Sequence, residues 1–354
     1  MTVLSEVHAA AAEQGVFSGW VLPAVYTSTD KEFDAARNAA GMADLSLFGR
    51  ITASGKDALD LLHRLSTNNL LGLSPGKIGD TILVTDKGRL VDYVEIWMRP
   101  SSFLMRVSPG REETILHWIE KYTINEDITL EVVTSSTAEV FLIGPNVESI
   151  MNDVHITYPG EGETIDIRGE GGTLMLGRVQ QDQTPILRAM GEPHRVLSFW
   201  KQVAAAGLIH GLRPMGMRAY EALRISLGIP AAAHEITESY NPYEAGLKKA
   251  ISFTKGCYVG QEVIARLDTY QKVKRKLIGV VLSSPVAIGE KRVAVRKGEN
   301  DVGWLTSSAM HPVHAKFIGL AIADENSVRE GDALDIAVPN GAVHAVAINL
   351  PMFI

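Results

Sequence analysis

Cysteine is almost missing from this chain: Cys257 is the single one among 354 residues. One thiol excludes an internal disulfide, fits a reducing compartment, and cannot by itself supply the thiolates of an ordinary iron–sulfur cluster site. Excess positive charge is missing too. Lysine and arginine number 34 against 41 acids, a formal net charge of -7, which argues against a broad nucleic-acid surface. No apolar run reaches the ~18–20 residues that a membrane span needs. The opening "MTVLSEVHAAAAEQGVF" has no basic stretch leading into an apolar one, so no signal peptide is expected and the cytoplasm is the expected location. Internal repeats and low-complexity segments are likewise not seen. What is present is 46% hydrophobic and 21% charged residues, a globular composition on a chain long enough for two or three domains.

The stretch 47–133 alternates between short strand and helix patterns. "FGRITAS", "DTILVT", "RLVDYVEIWM", "SFLMRVS" and "ITLEVV" read as strands; "GKDALDLLHRLS" and "REETILHWIEKY" read as amphipathic helices. "DKG" between the second and third strands is a hairpin signal. That order predicts helices layered on an antiparallel sheet, close to a split βαβ unit. "AEVFLIGP" starts a second unit, with helices in "EPHRVLSFWKQVAAAG" and "MGMRAYEALRISLG", the latter stopped by Gly228 and Pro230. Beyond about residue 276, short strands punctuated by glycine and proline predict a small β-barrel or sandwich.

The lone cysteine stands in "ISFTKGCYVGQEVIARL", which reads as strand, tight turn, then a helix from near Gly260. Lys255 and the helix start both favour a thiolate at Cys257; the alternative is a small packed side chain. Glu262 and Arg266 are four apart, suited to pair on that helix. Alternation in "LVDYVEIWM" puts Asp92 on one face with Leu90, Val94, Ile96 and Met98. An acid there is costly unless partnered or useful, although Val91, Tyr93 and Trp97 leave open which face is buried. Arg224 on a largely apolar helix is either a structural arginine or an anion ligand. "HPVH", with His311 and His314, reads as surface loop in the absence of a third metal ligand. "RGEGG" lacks the spacing of a dinucleotide loop.

"KGCYVGQEVIAR" resembles the signature of the YgfZ-type folate-binding proteins, of the glycine-cleavage T-protein (aminomethyltransferase) superfamily. "LFGRITASGKDALDLLHRLSTNNL", "DKGRLVDYVEI", "YEALRISLGIP", "VGWLTSSAM" and "LPMF" are similar to further family segments in the same order. The resemblance implies an α+β, three-lobed T-protein-like fold: two α+β domains around a central folate channel, and a C-terminal β-barrel. The first domain would comprise residues 1–50 and 136–245, the second, ferredoxin-like, 51–135 and 246–275, and the barrel 276–354. It also implies tetrahydrofolate as ligand. Asp92 matches an aspartate beside the folate's reactive nitrogen, and Arg224 an arginine suited to a folate carboxylate. Lys255 and Cys257 match the functional pair of the signature, with Tyr258, Gln261, Glu262 and Arg266 as neighbouring folate-site candidates.

T-proteins carry an acidic "GYTGEDGFE" stretch where this chain reads "GRVQQDQTPILRAMGEPHRV", and Asn69 replaces a family acid. The expectation is therefore a tetrahydrofolate-binding protein with a functional thiol. Lys255 would lower the thiol's pKa, and the protein would serve iron–sulfur cluster assembly or repair. Cluster proteins, including enzymes that modify tRNA, would be its transient clients. Its alternatives are a folate-dependent aminomethyltransferase and a folate-binding module without catalysis.

Overall fold

The computed structural model describes residues 4–181, 184–270, 273–289, 292–312, 316–339 and 341–352. The chain divides into two compact units. The first comprises Met1–His63, Leu70–Thr81 and Val94–Tyr220; the second, Arg64–Asn69, Ile82–Tyr93 and Glu221–Ile354.

A six-stranded sheet organises the first unit. Its order is Thr164–Gly169, Gly172–Gln181, Thr184–Gly191, Ala138–Ile143, Ala40–Asp44 and Leu212–Pro214. Only the last pair is parallel. The register aligns alternate apolar residues: Leu176 faces Ala189, Ala189 faces Val140, and Leu142 lies between Leu187 and Met42. These residues build one core with the helix Pro193–Gly207. Proline at its first position suits a helix start, where no N–H partner is lost. Val196, Phe199, Trp200 and Val203 recur at i, i+3, i+4 and i+7, and all four are buried. Each such side chain contributes roughly 1.5–3 kcal/mol by leaving water.

The five-stranded sheet runs in the order Ile78–Val84, Leu90–Met98, Ser102–Val107, Gly49–Ser54 and Thr129–Val132. At the "DKG" turn, Gly88 N–H donates to Thr85 O and Thr85 N–H to Arg89 O, each at 2.8 Å. Gly88 takes φ +66°, which only glycine adopts cheaply. The C-terminal strands Arg275–Leu282, Lys316–Asp324, Asn300–His311, Val293–Lys297, Ala333–Val338 and Gly341–Ile348 close into a barrel in that order. Val280, Val295, Ala321, Ala323 and Ile336 fill its interior. Closure leaves no unpaired sheet edge to guard.

Charge is buried inside the first unit. Glu139, fully buried, accepts from Arg106 Nε at 2.8 and 2.9 Å and from Arg188 Nη1 at 3.0 Å. Glu95 lies 3.2 Å from Arg188 Nη2 and 3.6 Å from Arg106 Nη1. Burial works against the Glu95 carboxylate, yet Arg188 and Arg106 hold its pKa below the usual range. The Arg106 guanidinium also lies 3.6 Å from the centre of the Phe48 ring.

"RGEGG" is the turn of the hairpin Thr164–Gly169/Gly172–Gln181, with Gly171 and Gly172 at φ +85° and +119°. One sequence expectation changes. His311, expected in a surface loop, is fully buried at the end of the barrel strand Asn300–His311; His314 lies outside the described residues. The antiparallel hairpin Glu13–Phe17/Trp20–Val25 had no counterpart in the sequence reading.

Candidate functional site

The residues singled out from sequence all belong to the second unit. Its framework is the segment Arg64–Asn69. Thr67 exchanges backbone bonds with Ile82 and Ser252, and its hydroxyl donates to Ala250 O at 2.6 Å. Val259 N–H then donates to Arg64 O at 3.2 Å. The loop 251–259 is therefore tied at both ends to one segment, buried at Leu65–Thr67. It is not the expected strand: its backbone bonds go to this segment singly, without a ladder.

The helix Gln261–Thr269 follows, starting at Gly260 as anticipated. Gly260 has φ +78°, and a Cβ there would sit 2.5 Å from Thr85 O. A Cβ on Gly88 would meet Val263 and Ile264 at 3.1–3.3 Å. Two motifs distant in sequence, "DKG" and "KGCYVGQE", thus pack together through paired glycines. Ile82, Val84, Leu90, Ile251 and Ile264 form the shared core.

Within the loop, Lys255 points inward at 9% exposure. Its ammonium donates to Ser66 O at 2.7 Å and Asn68 O at 2.9 Å, and lies 5.1 Å from the Tyr258 ring centre. Burial lowers the Lys255 pKa from 10.5 to about 8 and raises that of Tyr258 to about 12. Cys257 is exposed. Asn69 is exposed as well, its N–H donating to Asn68 Oδ1 at 2.9 Å. Glu262 and Arg266 pair at 2.6 Å on the exposed face of the helix, the i, i+4 contact their spacing implied. Gln261 is half-buried.

Asp92 is fully buried on the strand Leu90–Met98. Alternation was a poor guide there, because Val91, Glu95 and Trp97 on the other face are buried too. Arg224 is 3% exposed, and its fork binds Glu221, Ser307 Oγ at 2.8 Å, Ile229 O at 3.1 Å and Glu235 at 3.5 Å. Glu235, which the sequence reading missed, is fully buried and accepts from Ser307 Oγ at 2.7 Å, Thr306 Oγ1 at 2.5 Å and Ala231 N–H at 3.0 Å. Glu244, also missed, is buried and held by Arg275 Nε at 2.7 Å and Asn241 N–H at 3.0 Å. The signal was three acids, Glu235, Glu238 and Glu244, inside a proline- and asparagine-containing loop, "AAAHEITESYNPYEAGL", ahead of the Lys255 segment.

An α+β chain with a closed barrel, and with a buried acid on the strand Leu90–Met98, defines a class, and comparison with known proteins gives it a family. Residues 3–159 and 190–255 match the model of the GCVT N-terminal domain. Residues 275–353 match the glycine cleavage T-protein C-terminal barrel domain. The chain belongs to the glycine cleavage T-protein family.

A putative chloroplastic transferase of Arabidopsis thaliana is 35% identical over 317 residues, 88% of this chain and 71% of that one. The aminomethyltransferase of Caldanaerobacter subterraneus is 28% identical over 341 residues, 94% of this chain and 90% of the relative. That of Bacillus subtilis is 27% identical over 346 residues, 95% and 94% of the two chains. In fold, the chain is similar to the aminomethyltransferase T of the Bartonella henselae glycine cleavage system. The TM-score is 0.85 at 17% identity, covering 99% and 96% of the two chains.

These relatives correct the expectation of iron–sulfur cluster assembly or repair and of tRNA modification. The names they carry are those of an aminomethyltransferase and a transferase. The "GYTGEDGFE" departure did not outweigh similarity spread over nearly the whole length. No helix among the described residues is long and apolar enough to cross a membrane.

Proposed function

We propose that this protein is a folate-dependent aminomethyltransferase, moving a one-carbon unit from an aminomethyl-thioether donor to tetrahydrofolate. The observation that carries the reading is the complete burial of Asp92, at the position the family resemblance assigns to an acid beside the reactive nitrogen. Support also comes from relatives named aminomethyltransferase that align over 94–95% of the chain. In the transfer, the donor's carbon–sulfur bond and its carbon–nitrogen bond break and ammonia departs. The carbon joins two nitrogens of the acceptor, whose two N–H protons end on the sulfur and the ammonia. Asp92 would take a proton from the attacking nitrogen and pass it on, a step that requires hydrogen-bond reach and a fixed carboxylate.

The polar groups of the Lys255 loop fit a folate better as neighbours than as reagents. Lys255 holds the loop through two carbonyls. With its fork engaged by Glu221, Glu235 and Ser307, Arg224 is assigned to positioning its helix within the second unit. Glu262 and Arg266 pair on the surface and would act on folate only through the helix they stabilise.

The test supplies an aminomethylated lipoyl carrier and tetrahydrofolate and measures methylene-tetrahydrofolate. Turnover should depend on both substrates and collapse in Asp92→Asn. Product formation no faster than without protein would overturn the reading.

A further inference from the structure

We propose that the first unit carries a second ligand site, built for a small organic carboxylate with an apolar body. The site is a cavity of ≈ 630 Å³, within the ~300–1,000 Å³ range of small-molecule pockets. All of its lining belongs to the first unit, whereas Asp92, Lys255 and Arg224 belong to the second.

The floor is apolar. Leu104, Val133, Met175 and Met190 line it, and they belong to the cluster that surrounds Trp97. Methionine thioethers are polarisable and adapt to flat or aromatic surfaces. One wall is rigid, because Arg50 underlies it. Fully buried, Arg50 donates to Phe48 O at 2.7 Å, Thr134 O at 2.8 Å and Thr137 Oγ1 at 2.7 Å. This pins the turn that carries Ser136 and Thr137, both in the lining. Arg50 is thus spent on structure and has no donor to offer.

Arg99 and Arg168 differ from it. Arg99 lines the cavity half-buried, and its Nε donates to Met175 Sδ at 3.2 Å. A thioether is a weak acceptor, so the rest of the Arg99 fork is left for a better one. Arg168 is on the exposed rim, and its side chain makes no ion pair or hydrogen bond with the described residues. A planar guanidinium matches a carboxylate through paired N–H donors. Serine and threonine hydroxyls at 101, 102 and 173 add neutral donors around the same mouth.

Two acids also line the cavity and set the limits of charge. Glu192 is committed to Thr173 N–H at 2.7 Å. Asp166 shares a strand face with Arg168 two residues away. The charge of Arg50 is answered by buried Glu139 at 3.9 Å, so Arg99 and Arg168 stand against these two acids, which leaves paired N–H donors for one carboxylate but no excess charge for a polyanion.

The experiment titrates the full chain by calorimetry with 2-naphthoate and with neutral, isosteric 2-naphthamide, and in a third arm with inorganic phosphate. Naphthoate should bind at least about ten-fold tighter than the amide, the value of one charge-assisted contact. Phosphate should not displace it. Arg168→Ala and Arg99→Ala should each weaken naphthoate about ten-fold while leaving the amide unchanged. Arg168→Ala, at an exposed and unbonded position, keeps the test valid if Arg99→Ala fails to fold. Equal affinity for acid and amide, displacement by phosphate, or naphthoate binding indifferent to Arg168→Ala would each overturn the proposal. Because the readout is binding and not turnover, its failure says nothing of the aminomethyltransferase reading.

Discussion

In the first unit, Glu139 and Glu95 are buried against Arg106 and Arg188, charge against charge at 2.8–3.6 Å. In the second, the buried ammonium of Lys255 rests on two neutral carbonyls and an aromatic face. The titration behaviour follows the partners. Glu95 is held below the ordinary carboxylate range by its arginines, whereas Lys255 is drawn down to about 8 by burial. A compensated ion group is fixed in one state over the whole working pH range and serves as scaffold. A group on which burial wins sits near its titration point, where protonation and conformation respond to small changes. Buried charge therefore marks a functional region only when its partners are taken into account.

The largest effect that sharpens this contrast is expected at Glu139. Glu139→Gln leaves Arg106 and Arg188 with Glu95 as their remaining acid in a fully desolvated place. Loss of one partner from a buried ion cluster costs about 3–5 kcal/mol, to be read from urea unfolding. A loss below about 1 kcal/mol would mean that water reaches the cluster and that the scaffold role is wrong.

Asp92→Asn comes next, and its effect should fall on activity. With shape preserved, stability should change by no more than about 1–2 kcal/mol, while aminomethyl transfer falls about 100-fold or more, the usual share of a positioned acid–base group. A sharp drop in thermal midpoint with turnover intact would place Asp92 with Glu139 as a structural acid.

Much of this was legible from local patterns. The barrel strands, the "DKG" hairpin and the helices Pro193–Gly207 and Met217–Ser226 follow from turn residues and apolar spacing, which act over a few positions. The pairing of Gly88 with the helix after Gly260 spans more than 170 positions and leaves no periodic trace. Glu235 was missed for the same reason. Its partners Thr306 and Ser307 come from a barrel strand, and an acid whose cost is repaid from so far away looks like any loop acid. Asp92 was found through a rule that does not apply to its strand, since both faces of Leu90–Met98 are buried. The functional reading went astray where one short signature was weighed above similarity along the whole chain.

A smaller, pH-dependent effect is expected at Lys255. Its folded pKa of about 8 lies below its unfolded value of 10.5. Between these values the unfolded chain holds a proton that the folded chain has released, so this residue's share of stability rises with pH across that window. Below about pH 8 both states hold the proton and the share is a constant cost. Lys255→Met removes it. The thermal midpoint of the wild type minus that of the variant should be level below about pH 7.5 and climb from about pH 8 to 10. A difference that stays level throughout would show that the two carbonyls offset the burial of the ammonium.

The smallest effect is expected at Cys257. The thiol is exposed, so Cys257→Ala removes no core packing, and its stability cost should stay within about 0.5 kcal/mol. Lys255, the cation the sequence suggested would activate it, points two of its donors at Ser66 O and Asn68 O. An aminomethyl transfer that runs through Asp92 needs no protein nucleophile, because the attacking atom is a nitrogen of the acceptor. Turnover of Cys257→Ala should therefore stay within about two-fold of wild type, while a thiol reagent labels the native wild type rapidly and the variant not at all. Loss of transfer in Cys257→Ala with the fold intact would return the thiol to the reaction and require a covalent step that passes through its sulfur.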